Sequence, residues 1–307
     1  RRFYEALSDF RLLPAGRILA GAGTERQVTL FNCFVMGDIP DTMSGIFDQL
    51  KEAALTMQQG GGIGDDFSSL RPKGAPVKGV GADASGPLSF MDVWDSMCRT
   101  IMSAGSRRGA MMATLRCDHP DIEDFIEAKQ EPGRLRMFNL SVLVTDAFMD
   151  AVKEGASWEL TFDGVCYKSL PARDLWDKIM RATYSFAEPG VIFIDRINYL
   201  NNLYYCEEIH ATNPCGEQPL ASYTACNLGN LNLMSFVSDD GAFDYEGLTE
   251  ATKIATRFLD NVIEYNMDNH AMPKIEEAVA SDRRVGLGIT GMADAFVLMK
   301  KRYDSEE

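Results

Sequence analysis

Five consecutive residues, Asn213-Pro214-Cys215-Gly216-Glu217, bring an amide, a thiol and a carboxylate together, and a further cysteine follows at Cys226. These are the groups that radical chemistry on a sugar needs. In an extended or looped segment alternate side chains point the same way, so Asn213, Cys215 and Glu217 are expected on one face. Pro214 fixes φ and stiffens the backbone behind them, while Gly216 lets it turn sharply and come close to a ligand. The pattern predicts a loop tip held rigid inside a cavity. Taken alone, the same five residues also fit a surface turn carrying a buried, inert cysteine.

The elements that must hold such a loop can be read from periodicity. Ile46, Phe47, Leu50, Ala53, Ala54 and Met57 mark an amphipathic helix that stops at Gly60-Gly61-Gly62. Residues 141–144 read as a strand, with Thr145 capping the helix that starts at Asp146. Leu175, Trp176, Ile179 and Met180 mark another helix, ended by Pro189-Gly190 before the apolar strand 191–194. Strand and helix follow one another at βαβ spacing, which predicts a mainly parallel sheet covered by helices. At 307 residues the chain is long enough for one large α/β domain, and without a repeat, a low-complexity tract or an evident linker it reads as a single domain over 1–307.

Composition excludes several functions. A formal charge of −15 argues against a nucleic-acid backbone or an anionic membrane as main partner, although a polyphosphate could bind where the local site is basic. No apolar run is long enough to span a bilayer and Arg1-Arg2-Phe3-Tyr4-Glu5 is not a signal peptide, so the cytoplasm is the default. Seven cysteines without a CxxC pair do not suit a secreted disulfide framework, and three histidines without zinc-ligand spacing give no metal site. Most of the thiols are expected in the core. Cys98, on a helical stripe with Phe90, Val93, Trp94, Met97 and Ile101, is an example.

Three glycine-rich segments carry chemistry of their own. Residues 286–291 (GLGITG) match a dinucleotide fingerprint and keep a nicotinamide-linked oxidoreductase open as an alternative, but the chain ends before a second strand and a ribose-binding acid. Residues 60–64 (GGGIG) lack the Lys-Ser/Thr of a P-loop and suit close approach of backbone to a ligand. Residues 103–109 (SAGSRRG) set Arg107 and Arg108 among small residues, as an anion-binding loop would, or a solvated basic turn.

Together, residues 31–35 (FNCFV), 60–72 (GGGIGDDFSSLRP), 106–110 (SRRGA), 118–125 (DHPDIEDF), 139–144 (NLSVLV), 213–220 (NPCGEQPL), 226–233 (CNLGNLNL) and 284–293 (RVGLGITGMA) resemble, in collinear order, the catalytic subunit of ribonucleotide reductase. The resemblance implies a ten-stranded α/β barrel of two parallel half-barrels, with the radical cysteine on an internal loop. It implies that Cys215 is the thiyl radical site that removes the 3′-hydrogen of a ribonucleotide. Glu217 would take the 3′-hydroxyl proton, and Asn213 would hold the substrate hydroxyl. Cys33 and Cys226 would supply two electrons and form a disulfide as the 2′-hydroxyl leaves as water. Asn32, Gly61, Gly62 and Arg108 would line the substrate, while Asp41, Thr42, Arg71 and Arg107 would belong to the site of a regulatory dNTP or ATP. Helix capping before Ile46 is the simpler use of Asp41 and Thr42.

The wording NPCGEQPL and the short interval from Cys215 to Cys226 resemble the adenosylcobalamin-dependent class II enzymes; some class I subunits share the wording and take their radical from a metal-containing partner. The resemblance further implies a thioredoxin-like reductant and a homodimer. The family pattern continues beyond Glu307, so an incomplete barrel with an exposed sheet edge is expected, completed by a second chain or belonging to a truncated or split product. A non-catalytic fragment that only dimerises and binds effector is the other reading within the family.

Overall fold

Between residues 33 and 193 the strands of one sheet alternate with helices, each lying beside the one before it, and two antiparallel hairpins (Pro76–Val77 with Ala82–Asp83, Ser157–Phe162 with Val165–Pro171) are inserted between them. β1 (Cys33–Val35), β2 (Gly62–Asp66), β3 (Met111–Arg116), β4 (Phe138–Val144) and β5 (Gly190–Phe193) form one sheet in the order β5-β4-β3-β2-β1 with every pairing parallel. This is the βαβ succession expected from the sequence. The computed structural model describes residues 1–26, 28–77, 79, 81–101, 109–130, 133–225 and 227–306. The chain divides into two compact units, Cys33–Thr224 and a second made of Arg1–Asn32 with Ala225–Glu307.

Within the larger unit the crossovers are α1 (Met43–Gln58), α2 (Pro87–Thr100), α3 (Ile122–Glu127), and α4 (Asp146–Glu154) with α5 (Ala172–Phe186). Local chemistry sets their ends. Thr42 Oγ1 accepts from Gly45 N at 3.1 Å to cap α1, and Thr145 Oγ1 accepts from Phe148 N at 3.2 Å to cap α4, as its position predicted. After α1 the chain reverses through Gly60, whose φ of 99° favours glycine, and Gly60 N and Gly61 N return to the carbonyls of Met57 and Thr56.

The sheet has two different faces because side chains alternate along each strand. One face packs on helices: Phe138 of β4 lies edge-on to Phe67, which lies edge-on to Trp94 of α2, with ring centroids 5.9 and 5.6 Å apart. Cys98 of α2 is buried on the same helix, as its stripe predicted. The smaller unit holds a three-stranded sheet in which residues 228–232 pair antiparallel with 12–14 and parallel with 286–290. Its core gathers Leu12, Leu231, Phe236 and Ala255, the last on the helix Tyr245–Asn266. No helix among the described residues is long and apolar enough to cross a membrane.

One polar residue departs from this pattern. Asp65 of β2 is fully buried on the helix side, where Gln49 of α1 bridges it (Nε2 to Oδ1, 3.4 Å) and the carbonyl of Gly37 (3.1 Å). Burial pushes its carboxyl up to about 7, against weaker support for the anion from Gln49 and Trp94. The folded state therefore binds a proton more tightly than the unfolded chain, so this contribution to stability is present below pH ~4 and is lost as pH rises through ~7. Asp65→Asn should remove the pH dependence and be more stable than the wild type at pH 8, by a margin on the order of a few kcal/mol that closes toward pH 4. Denaturant titrations at both pH values check this. Equal stabilities at pH 8 would show that Asp65 carries its charge in the fold without cost.

Candidate active site

The second face of the sheet mixes glycine and polar residues with Val35 and Met112. Cys33 stands opposite Gly62, and Val35, Gly64, Met112 and Asn139 form a continuous row across β1 to β4. Over this face runs the segment that leads into Asn213. Thr114 Oγ1 lies 3.5 Å from the carbonyl oxygen of His210. A Cβ on Gly64 would overlap the carbonyl oxygen of Thr212, and one on Gly62 would stand 3.0 Å from Pro214 Cγ and 3.4 Å from Cys33 Sγ. Glycine in a strand interior marks such an approach of a second backbone. Glycines 62 and 64 therefore accommodate protein, and Gly61, on the opposite face, is buried against the ring of Phe34.

Beyond Pro214 the chain folds back instead of staying extended. Gly216 N donates to Asn213 O at 2.9 Å, and Gly216 has φ 80°. The turn removes the alternation on which a shared face depends, so the expected single face does not form: Asn213 is fully buried, while Cys215 and Glu217 are exposed. Hydrogen bonds bring the amide and the carboxylate together instead. Asn213 Nδ2 donates to Glu217 Oε2 at 2.6 Å, and its Oδ1 accepts from Gln218 N at 3.0 Å and Thr212 Oγ1 at 3.2 Å. Asn213 thus braces the turn from inside and orients the carboxylate beside Cys215.

The segment is held at both ends. A two-stranded ribbon, β6 (Ala211–Thr212) with β7 (Pro219–Leu220), closes the loop at its base. Asp66, which alternation turns to the loop side of β2, accepts from Ser68 Oγ (2.6 Å), Ser68 N (3.1 Å) and Thr114 Oγ1 (3.2 Å). Burial raises its pKa, and these donors and nearby His210 oppose the shift. Past the loop, Tyr223 OH donates to Glu52 Oε2 at 2.9 Å, and Val35 N donates to Thr224 O at 3.0 Å. The chain leading toward residue 226 thus runs beside the strand that begins at Cys33. Cys226 itself lies outside the described residues, as do Arg107 and Arg108.

The remaining predicted positions fall into two groups. Arg71 Nε donates to Asp41 Oδ2 at 2.8 Å and Arg71 Nη2 to Asp41 O at 3.3 Å, so this pair converges, half-buried. Thr42 beside it spends its hydroxyl on the helix cap. Asn32 belongs to the smaller unit, and its Oδ1 is buried with no hydrogen-bond partner among the described residues. In residues 286–291 the first two glycines sit within a strand and Gly291 caps the short helix Met292–Leu298, so the fingerprint is not the strand-to-helix turn that a dinucleotide site requires. Burial pushes the thiols of Cys98 and Cys117 up to about 11, as inert core residues, whereas Cys166 and Cys206 are exposed.

The profile of one family, described as the barrel domain of ribonucleotide reductase, matches residues 31–307. The chain belongs to this family. A vitamin B12-dependent ribonucleoside-diphosphate reductase of Mycobacterium tuberculosis is 41% identical over 309 residues, covering 100% of this chain and 44% of its own length. A protein of the same name from Thermoplasma acidophilum is 40% identical over 309 residues, covering 100% of this chain and 40% of its own. The ribonucleoside-diphosphate reductase subunit alpha of Chlamydia muridarum is 29% identical over 342 residues, covering 99% and 32%. The chain spans less than half the length of these relatives.

In this reductase barrel domain the seating of the loop on glycine is open to a direct test. Gly64→Ala should destabilise the fold by about 3 kcal/mol, because neither the Thr212 carbonyl nor the strand can move aside cheaply. Gly16→Ala, where a Cβ meets no atom within 4 Å, should leave stability unchanged or slightly raised. Denaturant unfolding compares the two. Equal effects would mean that the loop is not seated on Gly64.

Proposed function

We propose that this chain carries the radical-site part of a ribonucleotide reductase that forms 2′-deoxyribonucleotides with adenosylcobalamin as radical source. One observation carries the proposal: the turn bearing Cys215 and Glu217 sits on Gly62, and the same glycine faces Cys33 Sγ. Pro214, which leads into Cys215, thereby packs on the sheet face that carries Cys33, which supports reading the two cysteines and Glu217 as parts of one site. The five-stranded parallel sheet is read as one half of the ten-stranded α/β barrel, and the barrel domain over 1–307 as its first half with the start of the second.

The steps follow from the groups. A Cys215 thiyl takes the hydrogen atom from C3′, so an S–H bond forms, the C–H bond breaks and the unpaired electron moves to C3′. Glu217 accepts the 3′-hydroxyl proton, which requires a base within hydrogen-bond reach; the bond from Asn213 fixes its orientation. Asn213 is fully buried, so its part is to hold the turn and not to touch the substrate hydroxyl as the resemblance implied. The 2′-hydroxyl leaves as water with a proton from the Cys33–Cys226 pair. That pair supplies two electrons and two protons and becomes a disulfide; one proton leaves in the water and the other stays as the new 2′-hydrogen. Cys215 then returns its hydrogen to C3′ and the proton on Glu217 goes back to the hydroxyl. A thioredoxin-like dithiol reduces the disulfide.

Cys215 is exposed at the loop tip, so a radical source can reach its sulfur, and the residues present fit this requirement. Adenosylcobalamin, when bound, would supply the hydrogen-atom acceptor that takes the hydrogen of the Cys215 S–H group and leaves the thiyl. The relatives at 40% and 41% identity bear vitamin B12-dependent names, which favours this source over a metal-containing partner subunit. The names of these relatives also favour a ribonucleoside diphosphate as substrate, with Asn32, Gly62 and Arg108 along it; Gly61, buried on the opposite face against Phe34, takes no part. The Asp41–Arg71 pair, with Thr42 and Arg107, is the place for a dNTP or ATP effector. An effector triphosphate competing for Arg71 would bias one arrangement of this pair and couple to substrate choice, in a homodimer, by its differential affinity for the two arrangements.

Release of tritium from a 3′-tritiated ribonucleotide checks the assignment in the full protein supplied with adenosylcobalamin and a dithiol. Cys215→Ser should abolish both tritium release and deoxyribonucleotide, whereas Cys33→Ser should keep tritium release and lose the deoxy product. Glu217→Gln should lower kcat by roughly 10²–10⁴-fold. Tritium release that survives Cys215→Ser contradicts the proposal. A wild type that binds deoxynucleotide but never releases tritium points to the effector-binding module instead.

A further inference from the structure

Asn139 is the one residue of β4 before Val144 that is exposed in an otherwise buried strand, with burial running from Phe138 through Leu140 to Val144. Alternation places it on the loop side, and there its Nδ2 donates to the carbonyl oxygen of Pro214 at 2.6 Å. That carbonyl belongs to the peptide bond that enters Cys215, so the bond acts one residue from the sulfur. Pro214 is itself buried, and without Asn139 its carbonyl would lose this donor at a partly buried site. The other bonds that shape the turn, Asn213 Nδ2 to Glu217 and Gln218 N to Asn213 Oδ1, lie within the loop and move with it. The bond from Asn139 ties the tip to the sheet.

Resting on the reaction proposed above, we propose that Asn139 is a positioning residue for Cys215: its side-chain amide clamps the radical loop to β4 and sets the height of the sulfur above the sheet. Geometry leaves little tolerance for such a sulfur, since misplacement of a reacting group by about 1 Å can cost on the order of 10²-fold in rate. The donor is essential to this role. Aspartate has the same shape, but an ionised carboxylate only accepts, so it cannot replace the amide opposite a carbonyl oxygen.

The test uses Asn139→Ala and Asn139→Asp in the full protein at pH 8, with two readouts. The first is amide hydrogen exchange without cofactor or nucleotide. Exchange at Gly216 and Gln218, whose amides close the turn, should rise about tenfold in both variants, while amides of the β3–β4 ladder stay at wild-type rates. The buried thiols of Cys98 and Cys117 should remain unreactive to an alkylating agent, which shows that each variant is folded. The second readout is turnover: kcat should fall about 10²-fold with KM within about threefold, and the 3′-deuterium isotope effect on kcat should grow as hydrogen transfer becomes limiting. Unchanged exchange in the folded variants overturns the clamp. Faster exchange with wild-type kcat overturns the positioning role. A wild type with no turnover sinks the ribonucleotide reaction, while the exchange readout still decides the clamp.

Discussion

The close approach of the segment His210–Pro214 to the glycine-lined face of the sheet is the constraint on which the rest of the site depends. At Gly64 the fit leaves no room for a Cβ, and at Gly62 a Cβ would crowd both Pro214 and Cys33. Cys33 and Pro214, the residue before Cys215, are brought to one place because strand register sets Cys33 opposite Gly62 and Pro214 packs onto that glycine. Removing side chains at these two positions gives up packing in β2. In return another backbone comes within van der Waals distance, which is what glycine in a strand interior permits.

Polarity follows the same two-residue period. Asp65 and Asp66 are neighbours in β2 but face opposite ways, the first into the helix-covered core with Gln49, the second toward the loop with Ser68 and Thr114. Their surroundings give them different work. Asp65 costs the fold stability where it must ionise, whereas Asp66, with several donors, anchors the floor beneath the segment that precedes the Cys215 turn. His119 illustrates a fully specified tautomer nearby: its Nδ1 accepts from Asp121 N at 3.0 Å, so Nε2 carries the proton and donates to the Leu70 carbonyl at 2.9 Å. Burial lowers its pKa, in agreement with a neutral ring. Through this ring the turn that leads into α3 holds the backbone next to Arg71.

Much of the fold was legible because it rests on local periodicity. The helix from Ile46 to Met57, the cap at Thr145 and the parallel succession of strands follow from spacing and capping chemistry, and the structure repeats them with ends shifted by a few residues. The site was legible as a set of residues but not as an arrangement. Alternation put Asn213 on the same face as Cys215 and Glu217, yet a turn closed by Gly216 buried the asparagine and made it a brace. Residues 60–64 suggested backbone approaching a ligand; the structure shows the loop approaching Gly62 and Gly64. Asn139 escaped notice because its partner is a backbone carbonyl distant in sequence, although a polar residue within an apolar strand was a readable sign. Buried Gln49 on the stripe of α1 was concealed likewise, since its partners, Gly37 and Asp65, meet it only after the sheet has formed.

A crystal structure of the full protein with its ribonucleotide would test the central claim most directly. The account predicts the ribose over Gly62, with Cys215 Sγ about 3–3.5 Å from the 3′-hydrogen's carbon, Glu217 on the 3′-hydroxyl and Cys33 Sγ on the side of the 2′-hydroxyl. A nucleotide bound elsewhere, or a Cys215 sulfur turned away from the sheet face that carries Cys33, would contradict it.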